Sequence, residues 1–184
     1  FMGAVAKAYN PKVKVDNVLD LVGGQGVGKT SYLQNVAPMG LYTDQFNSFS
    51  NKDDYEVMKN ALIVNDDEMT ASNAASFEEI KKFITMQKFE YRKAYARKSQ
   101  KFLKKFVLAR TTNEIRHLKD RSGDRRFMSI FCNADKQVKS PVTEMTPEYV
   151  KQLWGEAVHL YKTTKDPFLL NDHEQELPEE NRKQ

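Results

Sequence analysis

The sequence predicts a three-layer α/β fold around a mostly parallel five-stranded sheet. Three observations carry this. Short apolar runs alternate with helical patterns, the first run breaks into a glycine-rich loop that opens a helix, and a long amphipathic stretch near the C-terminus needs a surface to pack on.

In chain order, residues 1 to 16 read as a short helix and an extended arm containing Pro11. Val18 to Val22 is an apolar run ending in glycines, a buried strand, and Lys29 to Val36 is the helix after it, stopped near Pro38. Leu41 to Thr43 is a second, shorter strand. Asn51 caps a helix with Asp53 and Asp54 in its first turn, where carboxylates meet the positive end of the helix dipole. Ala61-Leu62-Ile63-Val64 is the next buried strand and runs into Asp66-Asp67-Glu68.

Ser76 and Glu79 form a capping box, and Phe77, Ile80, Ile84 and Gln87 follow at helical spacing. From Tyr91 to Phe102 aromatic and basic residues alternate with no helical stripe, which reads as a β-hairpin or an extended loop. Phe106 to Ala109 and Phe127 to Phe131 complete the strands. Thr146-Pro147 opens the last helix, with an apolar face of Tyr149, Val150, Leu153, Trp154, Ala157, Val158 and Tyr161. The expected organisation is an N-terminal helix and arm (1–16), one main domain (17–163) and a polar, acidic tail (164–184).

The chain has 184 residues, 40% of them hydrophobic, enough for one domain with a real core. No apolar run approaches the ~20 residues of a membrane helix, and no signal peptide opens the chain. The start at Phe1-Met2 reads as a cut through a longer polypeptide, with a further domain upstream. The single Cys132 favours a reducing cytosol, and the lack of a Cys/His cluster argues against structural zinc. Net charge is +4, but Ile80 to Lys105 holds ten Lys or Arg against the one acid Glu90. Such a block fits a polyanionic partner, nucleic acid first, or a merely solvated cationic face.

The segment Gly23-Gly24-Gln25-Gly26-Val27-Gly28-Lys29-Thr30, followed by Ser31, fits the Walker A pattern of a P-loop NTPase and is assigned to nucleotide binding. Glycines turn backbone N–H groups toward one anion, and the helix behind the loop aims its positive end at the same phosphates. Lys29 supplies a point charge for the β- and γ-phosphates of ATP or GTP, and the Thr30 hydroxyl is the expected Mg²⁺ ligand. The glycine spacing is not that of a dinucleotide-binding G-x-G-x-x-G.

Asp67-Glu68 follows an apolar strand as a Walker B motif does. Asp67 is assigned to the metal and Glu68 to the attacking water, although the preceding Asp66 leaves the register ambiguous by one residue. Asn113, at the close of the strand from Phe106, is placed to reach the γ-phosphate and that water; a plain helix cap is the other reading. Arg125 and Arg126 lie in a polar turn before a strand. One reads as a finger delivered to a neighbouring subunit's site and the other as a local partner of Asp120 or Asp124, while ion pairing for both stays open.

These motifs in this order, with Asn65-Asp66-Asp67-Glu68-Met69, Tyr91-Arg92-x-x-Tyr95-Ala96-Arg97, Thr111-Thr112-Asn113 and Ser122-Gly123-Asp124-Arg125-Arg126-Phe127, resemble the virulence-associated protein E family. These are phage- and plasmid-type primase-helicase proteins, similar to superfamily-three helicases. The resemblance spans roughly Ala4 to Tyr161. It implies an AAA+-type ATPase using ATP and Mg²⁺, assembled as a homo-oligomeric ring such as a hexamer, in the cytoplasm of a bacterial host. It implies the roles given above for Lys29, Thr30, Asp67, Glu68, Asn113 and Arg125-Arg126. It also implies a hairpin from Arg92 to Lys101 that grips single- or double-stranded DNA, with Arg97, Lys98 and Lys101 on phosphates. A primase domain would lie outside this chain. Arg110 departs from the pattern, standing where a small residue is expected, and Asp124 replaces a more usual Asn.

The leading reading is the ATP-driven motor of a mobile element's DNA helicase. A nucleotide-controlled loader or switch shares the same ATPase parts. A small-molecule kinase shares the P-loop but needs neither Glu68 to activate water nor Asn113.

Overall fold

A computed structural model describes residues 1–91, 98–114 and 126–164. Its centre is a five-stranded sheet of β1 (Val18–Val22), β2 (Tyr42–Thr43), β3 (Ile63–Asp66), β6 (Val107–Thr112) and β7 (Phe127–Phe131), in the order β2-β3-β6-β1-β7. Every pairing in it is parallel. A separate antiparallel pair, β4 (Lys88–Tyr91) and β5 (Gln100–Leu103), is inserted between β3 and β6. The helices are α1 (Met2–Tyr9), α2 (Lys29–Val36), α3 (Lys52–Met58), α4 (Thr70–Ala74), α5 (Phe77–Thr85) and α6 (Pro147–Thr163).

Strand alternation sorts the core into two faces. Val18, Val64 and Leu108 meet Tyr55 and Met58 of α3, Ile80, Phe83 and Ile84 of α5, and Phe89 and Tyr91 of β4. Leu19, Leu21 and Ala109 face the other way, onto Leu33 and Tyr32 of α2. The surface that α6 needs is α1: Phe1 meets Trp154 edge-on at 5.2 Å, Tyr9 stacks on Tyr161 at 6.0 Å, and the Trp154 indole donates to the Val36 carbonyl at 2.7 Å. The three anticipated caps form, with Asn51, Ser76 and Thr146 accepting from the N–H groups of Asp53, Glu79 and Tyr149.

Several boundaries differ from the sequence reading. The strand expected at Ala61–Val64 runs Ile63–Asp66, and the one expected at Phe106–Ala109 runs on to Thr112. Both extend through polar residues because partners sit opposite. Arg110 lies in register with Asp20 of β1 and forks onto it at 2.7 and 2.5 Å, with its guanidinium 4.2 Å from the Phe127 ring centre. Arg110 is therefore neutralised inside the α3/α5 layer. Such a buried pair adds little net stability, but loss of one partner costs about 3–5 kcal/mol.

The helix expected to reach Gln87 stops at Thr85. Its last carbonyls are taken by buried Lys104, whose Nζ donates to the Ile84 and Phe83 oxygens at 2.8 and 3.3 Å. Burial, reinforced by the Lys7 charge and opposed by Asp16, brings the Lys104 amine down from the ordinary lysine value to about 7. Between that value and the ordinary lysine range the unfolded chain binds more protons at this site than the folded one, so stability rises with pH across the window. Below it both states are charged and the cost of burial is fully present. Urea unfolding at about pH 7 and about pH 9.5 is expected to show a smaller gain in Lys104→Met than in the wild type. Equal gains in the two proteins would remove Lys104 as the cause.

Candidate functional site

The chain leaves the C-terminal end of β1 at Gly23 and turns into α2 at Lys29. Gly28, in the left-handed region at φ 86°, is the N-cap of α2, and Gly26 has φ 79°. Side chains would strain both positions. A Cβ on Gly28 would also overlap the Pro141 ring, and one on Gly23 the Cys132 carbonyl oxygen. Close approach, rather than a positive φ, is the reason for glycine at position 23. Gln137 donates to the Val27 carbonyl at 2.9 Å and Asn35 to the Pro141 carbonyl at 2.8 Å, so the segment after β7 is strapped over the loop.

Lys29 is buried and its ammonium is held by three acceptors: the carbonyls of Gly23 and Gly24 at 2.7 and 2.9 Å, and the Asn113 side-chain oxygen at 2.8 Å. Three N–H donors and three acceptors leave the amine fully satisfied and aimed into the loop. Thr30, one residue on, donates to Asp67 Oδ1 at 2.6 Å.

The acids after β3 separate into three environments. Asp66 is buried and accepts from the Ala71 and Ser72 N–H groups at 2.9 Å each and from the Ser72 hydroxyl at 2.5 Å. Burial pushes its carboxyl up, while those hydrogen bonds and the Arg110 charge pull the other way. Asp66 thus ties the turn to α4 and is spent on structure. Asp67 is half-buried, and its Oδ1 receives Thr30, Thr111 at 2.7 Å and Asn65 at 3.2 Å. Glu68 is exposed. It and Met69 have φ of 50° and 51°, conformations that cost a non-glycine residue roughly 1–2 kcal/mol each. The Glu68 N–H is held by Thr111 Oγ1 at 3.0 Å, and the Met69 side chain is buried.

The structure therefore brings Lys29, Thr30, Asp67 and Asn113 together at one end of the parallel sheet, with Glu68 on the rim. It puts Arg126 elsewhere. Arg126 precedes β7 at the opposite end of β1, its carbonyl accepting from Val18 N–H, and its guanidinium lies 3.9 Å from Asp16. Asp16 is thus one carboxylate beside Arg126; the expected partners Asp120 and Asp124, like Arg125, lie outside the described residues. On the hairpin, Phe89 and Tyr91 point into the core while Lys88 and Glu90 point out. Lys98 and Lys101 are exposed, and Lys101 faces Glu90 across the pair at 3.6 Å. The connection carrying Arg97 lies outside the described residues, and the paired strands begin at Lys88, three residues before the expected start.

Sequence reasoning missed Thr111, Asn65 and the strap residues Gln137 and Pro141. A hydroxyl at the end of a strand beside an acid turn was the available signal for Thr111; nothing local announces the strap. A cavity of about 700 Å³ adjoins the loop, lined mainly by apolar side chains including Phe1, Val27, Tyr32, Pro141 and Trp154.

The family model of the virulence-associated protein E-like domain matches residues 1–184. The chain belongs to this family. Three solved structures resemble this VapE-like domain. An A-form apo structure of the NrS-1 C-terminal region superposes with a TM-score of 0.58 at 20% identity, covering 98% of this chain and 46% of that one. A second A-form structure, of region 305–718, gives 0.52 at 19% over 100% and 44%, and a further apo structure of that region gives 0.54 at 18% over 98% and 46%. The VapE-like domain shares their fold and spans less than half of their length. No curated protein matches it.

Proposed function

We propose that this domain binds ATP with Mg²⁺ at the Gly23–Ser31 loop and hydrolyses it, as the AAA+-type motor of a DNA helicase or primase-helicase of a mobile genetic element. The observation that carries the reading is the meeting of Lys29, Thr30, Asp67 and Asn113, contributed by three separate segments, outside the C-terminal ends of parallel strands. Ligands of open α/β sheets bind there.

The Thr30 hydroxyl and Asp67 carboxylate are hard oxygen donors in contact, which suits Mg²⁺ delivered with phosphate oxygens and water as its remaining ligands. Bound Mg²⁺ would neutralise charge on the phosphates. The loop amides and the N-terminus of α2 would hold the phosphates, with Lys29 adding its charge. Asn113 sets the position of Lys29, and the exposed Glu68 is free to orient a water and take its proton. Among the described residues, the neighbouring cavity is lined mainly by apolar side chains, with Asn17, Asn133 and Gln137 among its polar ones.

Arg126 lies at the end of β1 opposite the loop, which suits a finger role for it across a subunit boundary in a ring, with Arg125 as the other candidate and a hexamer as the expected form. Lys98 and Lys101, with Arg97 in the hairpin connection, supply long cations for sequence-independent contact with DNA phosphates. The family resemblance further supports a bacterial cytoplasmic setting and a primase domain elsewhere in a longer protein.

The test is the ATPase rate with and without single-stranded DNA, over protein concentrations that span assembly. A shared site predicts that the rate per subunit climbs with assembly, by about 10³-fold if the finger acts in trans, and again with DNA. A flat, DNA-insensitive rate in an assembled sample would transfer the reading to a loader or switch.

A further inference from the structure

Among the described residues, Thr111 is the side chain that hydrogen-bonds both Asp67 and Glu68 of the turn. It is buried on β6, in register with Leu21, and the pairing of Asp66 with Arg110 puts Asp67 beside it, just past the end of neighbouring β3. Its hydroxyl has one proton and two lone pairs. The proton goes to Asp67 Oδ1 at 2.7 Å, and a lone pair accepts the Glu68 N–H at 3.0 Å. Glu68 and Met69 are both left-handed, so the direction of the Glu68 side chain depends on whatever holds this backbone. Asp66 anchors the far side of the turn through Ala71 and Ser72. Thr111 is the anchor on the near side, and it stands on the strand whose end carries Asn113.

We infer that Thr111 is a positioning residue: its single hydroxyl sets the Asp67 carboxylate and the Glu68 backbone together, so that both acids and Asn113 keep one fixed relation. The inference rests on the roles given to Asp67 and Glu68 above. It goes further in naming what holds the strained turn in a working geometry. Valine has the shape of threonine without the hydroxyl, and serine keeps the hydroxyl without the methyl group. The pair therefore separates hydrogen bonding from packing.

Two readouts are needed, each on Thr111→Val, Thr111→Ser and the wild type. The first is ATP turnover at the protein and DNA concentrations where the wild type is fastest, alongside the Kd for ATP. Misplacing groups that act through a neighbour typically costs 10–100-fold, so Thr111→Val is expected to lose about that much in kcat, with a much smaller loss of ATP affinity because Thr30 and Asn65 still hold Asp67. Thr111→Ser should recover most of it. The second is hydrogen exchange at the Glu68 amide in nucleotide-free protein, which should speed up in Thr111→Val and stay slow in Thr111→Ser.

Wild-type turnover with a slow-exchanging Glu68 amide in Thr111→Val would overturn the inference. So would loss of ATP affinity and kcat together without rescue by serine, which marks a purely structural role. If the wild type itself fails to hydrolyse ATP, the ATPase reading falls, while the exchange comparison still decides whether Thr111 holds the turn.

Discussion

Lys29→Ala is expected to weaken ATP binding by about 100-fold or more while leaving the fold intact. The charge of Lys29 is aimed into the loop by three acceptors of the protein itself. Exchanging such contacts for phosphate oxygens gains charge-assisted hydrogen bonds worth roughly 1.5–3 kcal/mol each, and two of them amount to about two orders of magnitude in Kd. Alanine removes the cation without changing backbone preference in α2. Calorimetric titration with Mg²⁺-ATP gives the affinity, and thermal unfolding monitors the fold. An unchanged Kd would mean that the loop does not bind phosphates in the way argued here.

The second large effect is expected from Glu68→Gln: a fall in kcat of about 10²–10⁴, the usual contribution of a general base, with binding retained. Glutamine matches the shape of glutamate and keeps the backbone N–H that Thr111 holds, so the turn should survive. A variant that binds ATP and stalls would fit the assignment, whereas normal turnover in the assembled protein would sink it. Comparison with Asp67→Asn is informative, because Asp67 receives hydrogen bonds from Thr30, Thr111 and Asn65. There the loss should be in Mg²⁺-dependent binding as well as in rate.

Much of this site was legible in the residues. Gly23 to Thr30 is contiguous, and the reasons for its composition are local: positive φ at Gly26 and Gly28, and a helix beginning at Lys29. The caps at Asn51, Ser76 and Thr146 are equally local, since each side chain bonds an N–H two or three residues away. The register of the acids was not legible. Asp66, Asp67 and Glu68 are adjacent and all acidic, and only the packing shows that Asp66 is consumed by Ala71 and Ser72. Arg110 had no explanation within its own segment because its carboxylate, Asp20, is 90 residues away.

The sequence by itself determined the order of the strands and of every helix but α4, the glycine-rich loop and the neighbourhood of the proposed catalytic acids. These follow from patterns within a few residues of one another, where backbone preference and alternation act directly. Only the tertiary structure decided where the polar ends of β3 and β6 stop, which acid meets Thr30, that Arg126 lies away from its own site, and that α1 is the surface for α6. Each of these depends on a buried polar or apolar group finding its partner across the sheet. A lone charge such as Arg110 is too costly to bury until distant chain supplies Asp20, and the Glu68 N–H finds its acceptor only in Thr111 of another strand.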